Sequence, residues 1–186
     1  MRRIVATVTF LVALSFVVSA QQPKHAPSTP EERERAVKVA QALEAHPTDP
    51  TLRDDYGWLL RWVAEVPDIT VSICSANMPW KEKYKYSGEL AAVGLAATVS
   101  FVIQHPDEGK DPASAGVAAM ESMLTAYQKI VAQDPKGHSK EMDAVVEIQR
   151  QGKISEYVHG KWAETCKKKV AGITSPFPAL TPAGGF

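Results

Sequence analysis

The stretch SGELAAVGLAATVSFVIQH, Ser87–His105, decides the fold of this chain. Its middle part, Leu90–Ile103, contains no charge, and its only polar side chains are the hydroxyls of Thr98 and Ser100. Apolar residues occupy every face of the helical wheel, and a helix that is apolar all round has to be buried on all sides. The run is shorter than the roughly 20 residues of a membrane span. The sequence therefore predicts a central helix at 88–105 with other helices around it.

Capping residues mark the ends of the predicted helices. Ser87 is the expected N-cap of the central helix, and Pro106 ends it because proline disfavours helical geometry in the residue before it. Thr29 and Glu32 form a predicted capping box at the start of the first helix, and Asp111–Pro112 opens a later one. Helical spacing of apolar residues completes an all-α bundle of about six helices, near 30–45, 50–65, 88–105, 112–133, 140–151 and 154–169.

Residues 69–74, ITVSIC, allow two interpretations. Apolar and polar side chains alternate, which is a strand pattern. No second convincing strand is found, however, and one strand alone cannot satisfy its backbone hydrogen bonds. A short helix capped by Asp68, with Ile69 and Ile73 on one face, is the favoured interpretation.

The N-terminus has the pattern of a secretory signal peptide. Arg2 and Arg3 precede an apolar run, and the small residues at Val18–Ala20 form a signal-peptidase site. A membrane anchor that stays attached is the alternative, but the short apolar run favours cleavage. We therefore divide the chain into a signal peptide, a disordered leader, a single α-helical domain and a disordered tail, at 1–20, 21–28, 29–169 and 170–186.

The two cysteines, Cys74 and Cys166, are expected to form a disulfide, because an even number of cysteines in an exported chain is typical of one. Two buried free thiols or a catalytic cysteine are the alternatives. Together with the signal peptide, the disulfide predicts an exported protein, located in a periplasm or in the extracellular medium.

The charge of the chain argues against two classes of partner. The sequence has 21 basic and 21 acidic side chains. Removal of Arg2 and Arg3 with the signal peptide leaves a slight acidic excess. A nearly neutral surface gives no electrostatic reason to bind nucleic acid or an anionic membrane. Neither nucleic acid nor, after signal cleavage, a membrane is therefore an expected partner.

No sequence motif indicates catalysis, a metal or a cofactor. Glu156 and His159 have the spacing used in carboxylate-bridged di-iron bundles, but those sites need two such motifs and further glutamates. The sequence contains one copy, so a solvated helix face explains the pair better. We expect no catalytic residue, no metal and no cofactor.

The aromatic and basic loop before the central helix is the best predicted binding surface. Trp80, Tyr84 and Tyr86 are interspersed with lysines, and such side chains stack on sugars or bases or anchor a peptide. The alternative is that the rings pack over the central helix while the lysines are solvated. Trp58 and Arg61 on the second helix form a lesser candidate.

These observations favour a non-catalytic binding or protein-interaction module whose partner is a protein, a peptide or a small ligand. The second hypothesis is an enzyme with a site assembled from scattered residues, around His105 or His159. The third is a small helical scaffold of tetratricopeptide-like type. The segment 30–65 resembles a tetratricopeptide unit in its length and its AHPTDP turn, but the Trp-Leu-Gly-Tyr pattern and further copies are missing.

Overall fold

The structure, a computed structural model, describes residues 26–166. In that range the chain forms six α-helices and no strand. The helices are α1 (Pro30–Ala45), α2 (Arg53–Glu65), α3 (Ser87–Gln104), α4 (Pro112–Gln133), α5 (Lys140–Arg150) and α6 (Ile154–Lys161). A π-helical turn, Trp162–Cys166, follows α6 directly. The prediction of an all-α bundle of about six helices is confirmed.

Side-chain caps begin two of these helices as predicted. Thr29 Oγ1 accepts a hydrogen bond from the Glu32 N–H at 3.2 Å, and Glu32 Oε2 accepts one from the Thr29 N–H at 2.8 Å. The Asp111 carboxylate accepts hydrogen bonds from N–H groups in the first turn of α4. The predicted cap at Ser87 is wrong. A turn closed by the Ser87 N–H and the Tyr84 carbonyl oxygen, at 3.1 Å, leads straight into α3, so Ser87 is already helical.

α3 lies at the centre of the bundle. It packs most extensively against α4 and α1 and also contacts α2. Leu90, Ala96 and Val99 are 0% exposed. Of the fourteen residues 90–103, eight are buried, six are half-buried and none is open to solvent. The prediction that α3 is buried on all sides is therefore wrong in part, because α1, α2 and α4 leave the face around Leu95 only half covered.

The length of α3 also differs from the sequence-based expectation. With 18 residues and a mean hydropathy of 1.4, the helix is long and apolar enough to cross a membrane by length and composition alone. The expectation that it is too short is thus wrong. The core helix of a soluble protein can meet the same criterion, and 44% of α3 is buried inside the bundle. That no membrane is bound stays a prediction.

A single large apolar core joins α3 to the other helices. The largest fully buried side chains include Met120, Leu124, Tyr127 and Ile130 from α4, Met142 from α5 and Val158 from α6. The four α4 positions follow helical spacing, so one face of α4 turns towards the core. A smaller cluster of Cys74, Ala113, Trp162 and Cys166 lies beside this core.

Cys74 and Cys166 form a disulfide in the structure. Their Cα atoms are 5.8 Å apart, and the two residues are 92 positions apart in the sequence. The bond joins the segment before α3 to the π-helical turn after α6, and neither thiol is free. A disulfide is compatible with an exported protein, because such bonds persist in oxidising compartments.

Residues 69–74 have no regular secondary structure and follow two bends at 67–68, so the favoured short helix at 69–74 is wrong. Within the described chain, no backbone–backbone hydrogen bond involves residues 67–73. Ile69 is buried, whereas Thr70 and Ser72 are exposed and Ile73 is 48% exposed. An exposed backbone is hydrated and needs no partner strand, and the β-branched residues of this stretch are weak helix formers. Both reasons explain why the segment is neither helix nor strand.

The predicted signal peptide, the predicted tail and most of the predicted leader lie outside the described residues. Ser28, at the end of that leader, binds Asp68 in the bend after α2. Its N–H and its hydroxyl donate hydrogen bonds to the two carboxylate oxygens of Asp68, at 2.8 and 2.7 Å. These two bonds, with the backbone bond first, hold the pKa of Asp68 well below its usual value.

Candidate functional site

The predicted binding loop is fixed to the turn between α4 and α5. The Tyr84 hydroxyl donates a hydrogen bond to the carbonyl oxygen of Gly137 at 2.8 Å, and the Tyr86 hydroxyl donates one to Asp134 at 2.7 Å. Trp80 is half-buried and packs against the core. Both tyrosine hydroxyls are therefore occupied within the chain. A binding role for these three residues stays a prediction.

Asp134 joins the predicted binding loop to the turn between α4 and α5. Its Oδ2 atom accepts hydrogen bonds from the Tyr86 hydroxyl and from Lys85 Nζ at 2.9 Å. These bonds, that of Tyr86 first, lower the pKa of Asp134 to about 2. Burial raises the pKa of Tyr84 to about 12, so this hydroxyl stays a hydrogen-bond donor at neutral pH.

We expect Asp134→Asn to flatten the pH dependence of stability at acid pH. Because the pKa of Asp134 is about 2 in the fold and near 3.8 in the unfolded chain, its contribution is complete above pH 3.8. This contribution of the ionised Asp134 side chain to the free energy of unfolding is lost as the pH falls through 2. Urea denaturation between pH 2 and pH 5 measures the slope. Asp54→Asn, at an exposed position, is the charge-matched control, and an equal slope in both variants would contradict the assignment.

Trp58, a residue of the lesser predicted candidate site, contacts Trp62 and Arg35. Its ring stacks on Trp62, with centroids 5.5 Å apart, and the guanidinium of Arg35 lies 4.0 Å from its centroid. Arg35 also forms an ion pair with Asp55 at 3.0 Å. Arg61 is exposed. The structure thus brings Arg35 of α1 onto the ring, and a binding role for Trp58 and Arg61 stays a prediction.

A cleft of about 310 Å³ lies between α1, α3 and α4. Small residues from each helix, Ala40, Ala97 and Ala118, line it, so the three helices approach one another without filling the space. We call it the polar cleft. Its polar residues are Gln41 and Glu44 from α1, Ser100 and Gln104 from α3, and Ser122 and Lys129 from α4.

Hydrogen bonds fix five of the six polar side chains of this cleft. The buried Ser122 hydroxyl donates to the Glu44 carboxylate. The buried Ser100 hydroxyl donates to Gln104 Oε1 at 3.2 Å. Lys129 Nζ donates to the main-chain carbonyl oxygen of Glu44 at 2.9 Å and thereby caps the last turn of α1. The cleft therefore presents a carboxylate, an ammonium group and an amide, all held by other groups.

Two other cavities in the described chain are less suited to a ligand. A hollow of about 40 Å³ beside Asn77 has room for water and little more. The buried Oδ1 atom of Asn77, which has no protein partner there, is a natural site for such a water. A cleft of about 430 Å³ beside residues 67–73 is lined by Arg33 and Asp68. These two side chains already neutralise each other at 2.8 Å.

The histidines of the enzyme hypothesis do not enter a catalytic arrangement with the polar cleft. His105 stacks on Phe101 beside the cleft, with ring centroids 4.7 Å apart, and its Nδ1 atom lies 3.8 Å from the exposed Glu108 carboxylate. His159 is exposed on α6. Among residues 26–166, no group of three His, Cys, Asp or Glu side chains could hold a metal ion.

Sequence reasoning missed the residues of the polar cleft. Glu44 and Ser122 are 78 positions apart, and nothing in the local sequence pairs them. One signal was available, because Ser100 and Ser122 are hydroxyls at buried positions of helices that form the apolar core. Known proteins give no guide to what the cleft binds, since no protein-family model, no curated protein and no solved structure matches this chain.

Proposed function

We propose that this chain is an exported, non-catalytic binding module that holds a small polar ligand in the polar cleft. One observation carries the proposal. Ser100 and Ser122 are only 9% and 7% exposed, and each donates a hydrogen bond to a longer polar side chain that lines the cleft. Burying a hydroxyl is costly unless it is hydrogen-bonded. The same bonds hold Glu44 and Gln104 in position, which lowers the cost of ordering them around a ligand.

The size and lining of the polar cleft support a small ligand. Its volume of about 310 Å³ is at the lower end of the range for ligand pockets, roughly 300–1,000 Å³. Ligand pockets combine a mainly apolar lining with a few well-placed polar groups. Here four alanines and Phe101 supply the apolar part, and the hydrogen-bonded groups supply the polar part. A concave site of this kind favours a small ligand over a protein partner.

Two features support an exported protein. The N-terminal sequence has the charge and small-residue pattern of a signal peptide. The Cys74–Cys166 disulfide needs an oxidising compartment to persist. An exported module with a small-ligand cleft would meet its ligand in the periplasm or in the medium.

We expect Ala118→Leu to abolish ligand binding in the polar cleft without unfolding the protein. The larger side chain fills the space that Ala118 leaves between the helices, and leucine is a good helix former. The assay is a library of small polar fragments, screened by the shifts of backbone amide signals in two-dimensional NMR. Fragments should shift the signals of residues in the cleft in the wild type and not in the variant.

Ala132→Leu, at an exposed position of the same helix, is the matched control and should bind as the wild type does. The proposed function would be refuted by a screen in which no fragment shifts the cleft residues. Fragments that shift only the residues around Trp80 and Tyr84 would also refute it and would support the predicted aromatic surface instead.

A further inference from the structure

We infer that the ligand of the polar cleft is a compact zwitterion, of the kind represented by a free apolar α-amino acid. This inference rests on the proposed function and names its ligand class. The ammonium group of such a ligand would bind Glu44, its carboxylate would bind Lys129, and its apolar part would lie against Phe101 and the alanines.

The charges of the cleft carry this inference. Among the described residues, the Glu44 carboxylate has a single hydrogen-bond donor, the neutral hydroxyl of Ser122, and no ion-pair partner. Lys129 Nζ donates to a main-chain carbonyl oxygen and likewise has no ion-pair partner in this part of the chain. Two opposite charges therefore line one cleft without neutralising each other or being neutralised by a third group.

The charges of the cleft beside residues 67–73 are arranged differently. Arg33 and Asp68, which line that cleft, pair at 2.8 Å. Lys110, which lines the same cleft, pairs with Asp107 at 2.9 Å. A surface lysine can reach a neighbouring carboxylate at little cost, so a lysine and a glutamate that stay apart in a half-buried cleft are held apart by their other hydrogen bonds.

A zwitterion complements this arrangement better than an ion of one sign. A cation alone would leave Lys129 unpaired, and an anion alone would leave Glu44 unpaired beside the ligand. A ligand with both charges forms two charge-assisted hydrogen bonds, which are about twice as strong as bonds between neutral groups. The apolar lining from Ala97, Ala118 and Phe101 then favours a ligand whose remaining part is aliphatic.

The first test changes the ligand and leaves the protein intact. Leucine, N-acetylleucine and leucine methyl ester are titrated into the wild-type protein, and binding is followed by calorimetry and by the amide signals of the cleft. The acetyl compound lacks the ammonium group, and the ester lacks the carboxylate. Each should bind at least about tenfold more weakly than leucine, because each leaves one protein charge without a partner.

The second test exchanges the two charged side chains separately. Glu44→Gln keeps an acceptor for Ser122, and Lys129→Gln keeps a donor for the Glu44 carbonyl oxygen, so both variants retain the hydrogen bonds of the fold. Glu44→Gln should lose the preference for leucine over N-acetylleucine. Lys129→Gln should lose the preference for leucine over its methyl ester. Glu34→Gln, at an exposed position of α1, should keep both preferences.

The outcomes separate this inference from the proposed function. Equal binding of the three compounds, or shifts away from the cleft, would overturn the zwitterion. If leucine fails while a neutral fragment such as a simple sugar shifts the cleft residues, the cleft is a ligand site and only the ligand class is wrong. If neither leucine nor any fragment shifts these residues, both proposals fail.

Discussion

Reduction of the Cys74–Cys166 disulfide is expected to lower the free energy of unfolding by about 4–5 kcal/mol. The bond joins residues that are 92 positions apart in the sequence, so it closes a long loop. On the chain-entropy model, a closed loop of this length removes much of the conformational freedom of the unfolded chain. Loss of about 4 kcal/mol is a large fraction of the 5–15 kcal/mol that is typical of a whole domain.

Urea denaturation of the oxidised protein, the reduced protein and a Cys74→Ser/Cys166→Ser variant measures this effect. The reduced protein and the double variant should have the same, lower stability, and reductant should not affect the variant. A loss below about 1 kcal/mol would show that the unfolded chain is already restricted in other ways.

Leu90→Ala is expected to destabilise the protein by about 3 kcal/mol, and Leu95→Ala by about 1 kcal/mol. Both leucines lie on α3, but Leu90 is 0% exposed and Leu95 is half-buried. Truncating a fully buried leucine removes its transfer free energy and leaves a cavity, at a cost of about 2–5 kcal/mol. At the half-buried position, truncation of Leu95 removes less buried apolar surface, and water can enter the space that the side chain leaves.

The pair is internally matched, because the same substitution is made twice in one helix and the intrinsic helix propensities cancel. Urea denaturation gives both values. Equal losses at the two positions would mean that α3 is not packed as the structure places it. In a helix surrounded by lipid, Leu90→Ala and Leu95→Ala would have similar effects. The comparison therefore also tests whether α3 is the core helix of a soluble bundle.

Local sequence signals predicted much of the fold. The capping box of Thr29 and Glu32 and the cap at Asp111 involve residues two to three positions apart, so the sequence itself contains both partners. The absence of charge from Leu90–Ile103 likewise identified α3 as the central helix. Burial of apolar surface depends on the composition of a helix more than on particular partners, and composition can be read from the sequence.

Features that depend on distant residues were not predictable in this way. The sequence favours a short helix at 69–74 because a strand without a partner leaves backbone groups unsatisfied, but most of this stretch is at least partly exposed, where water can satisfy its backbone. The polar cleft depends on the approach of α1, α3 and α4, and Glu44 meets Ser122 only after the bundle has formed. Single buried hydroxyls at positions 100 and 122 give no hint of the side chains that they will bind.

The disulfide turns residues 74–166 into a covalent ring that contains α3, α4, α5 and α6. A protease that cuts one peptide bond inside this ring, for example between α3 and α4, opens it without releasing a fragment. A cut at 70–73 falls outside the ring and breaks the covalent link between the ring and the part of the chain that contains α1 and α2. Glu44 would then be attached through non-covalent contacts alone, so a single cut at this stretch would weaken the proposed ligand site more than any cut within the ring.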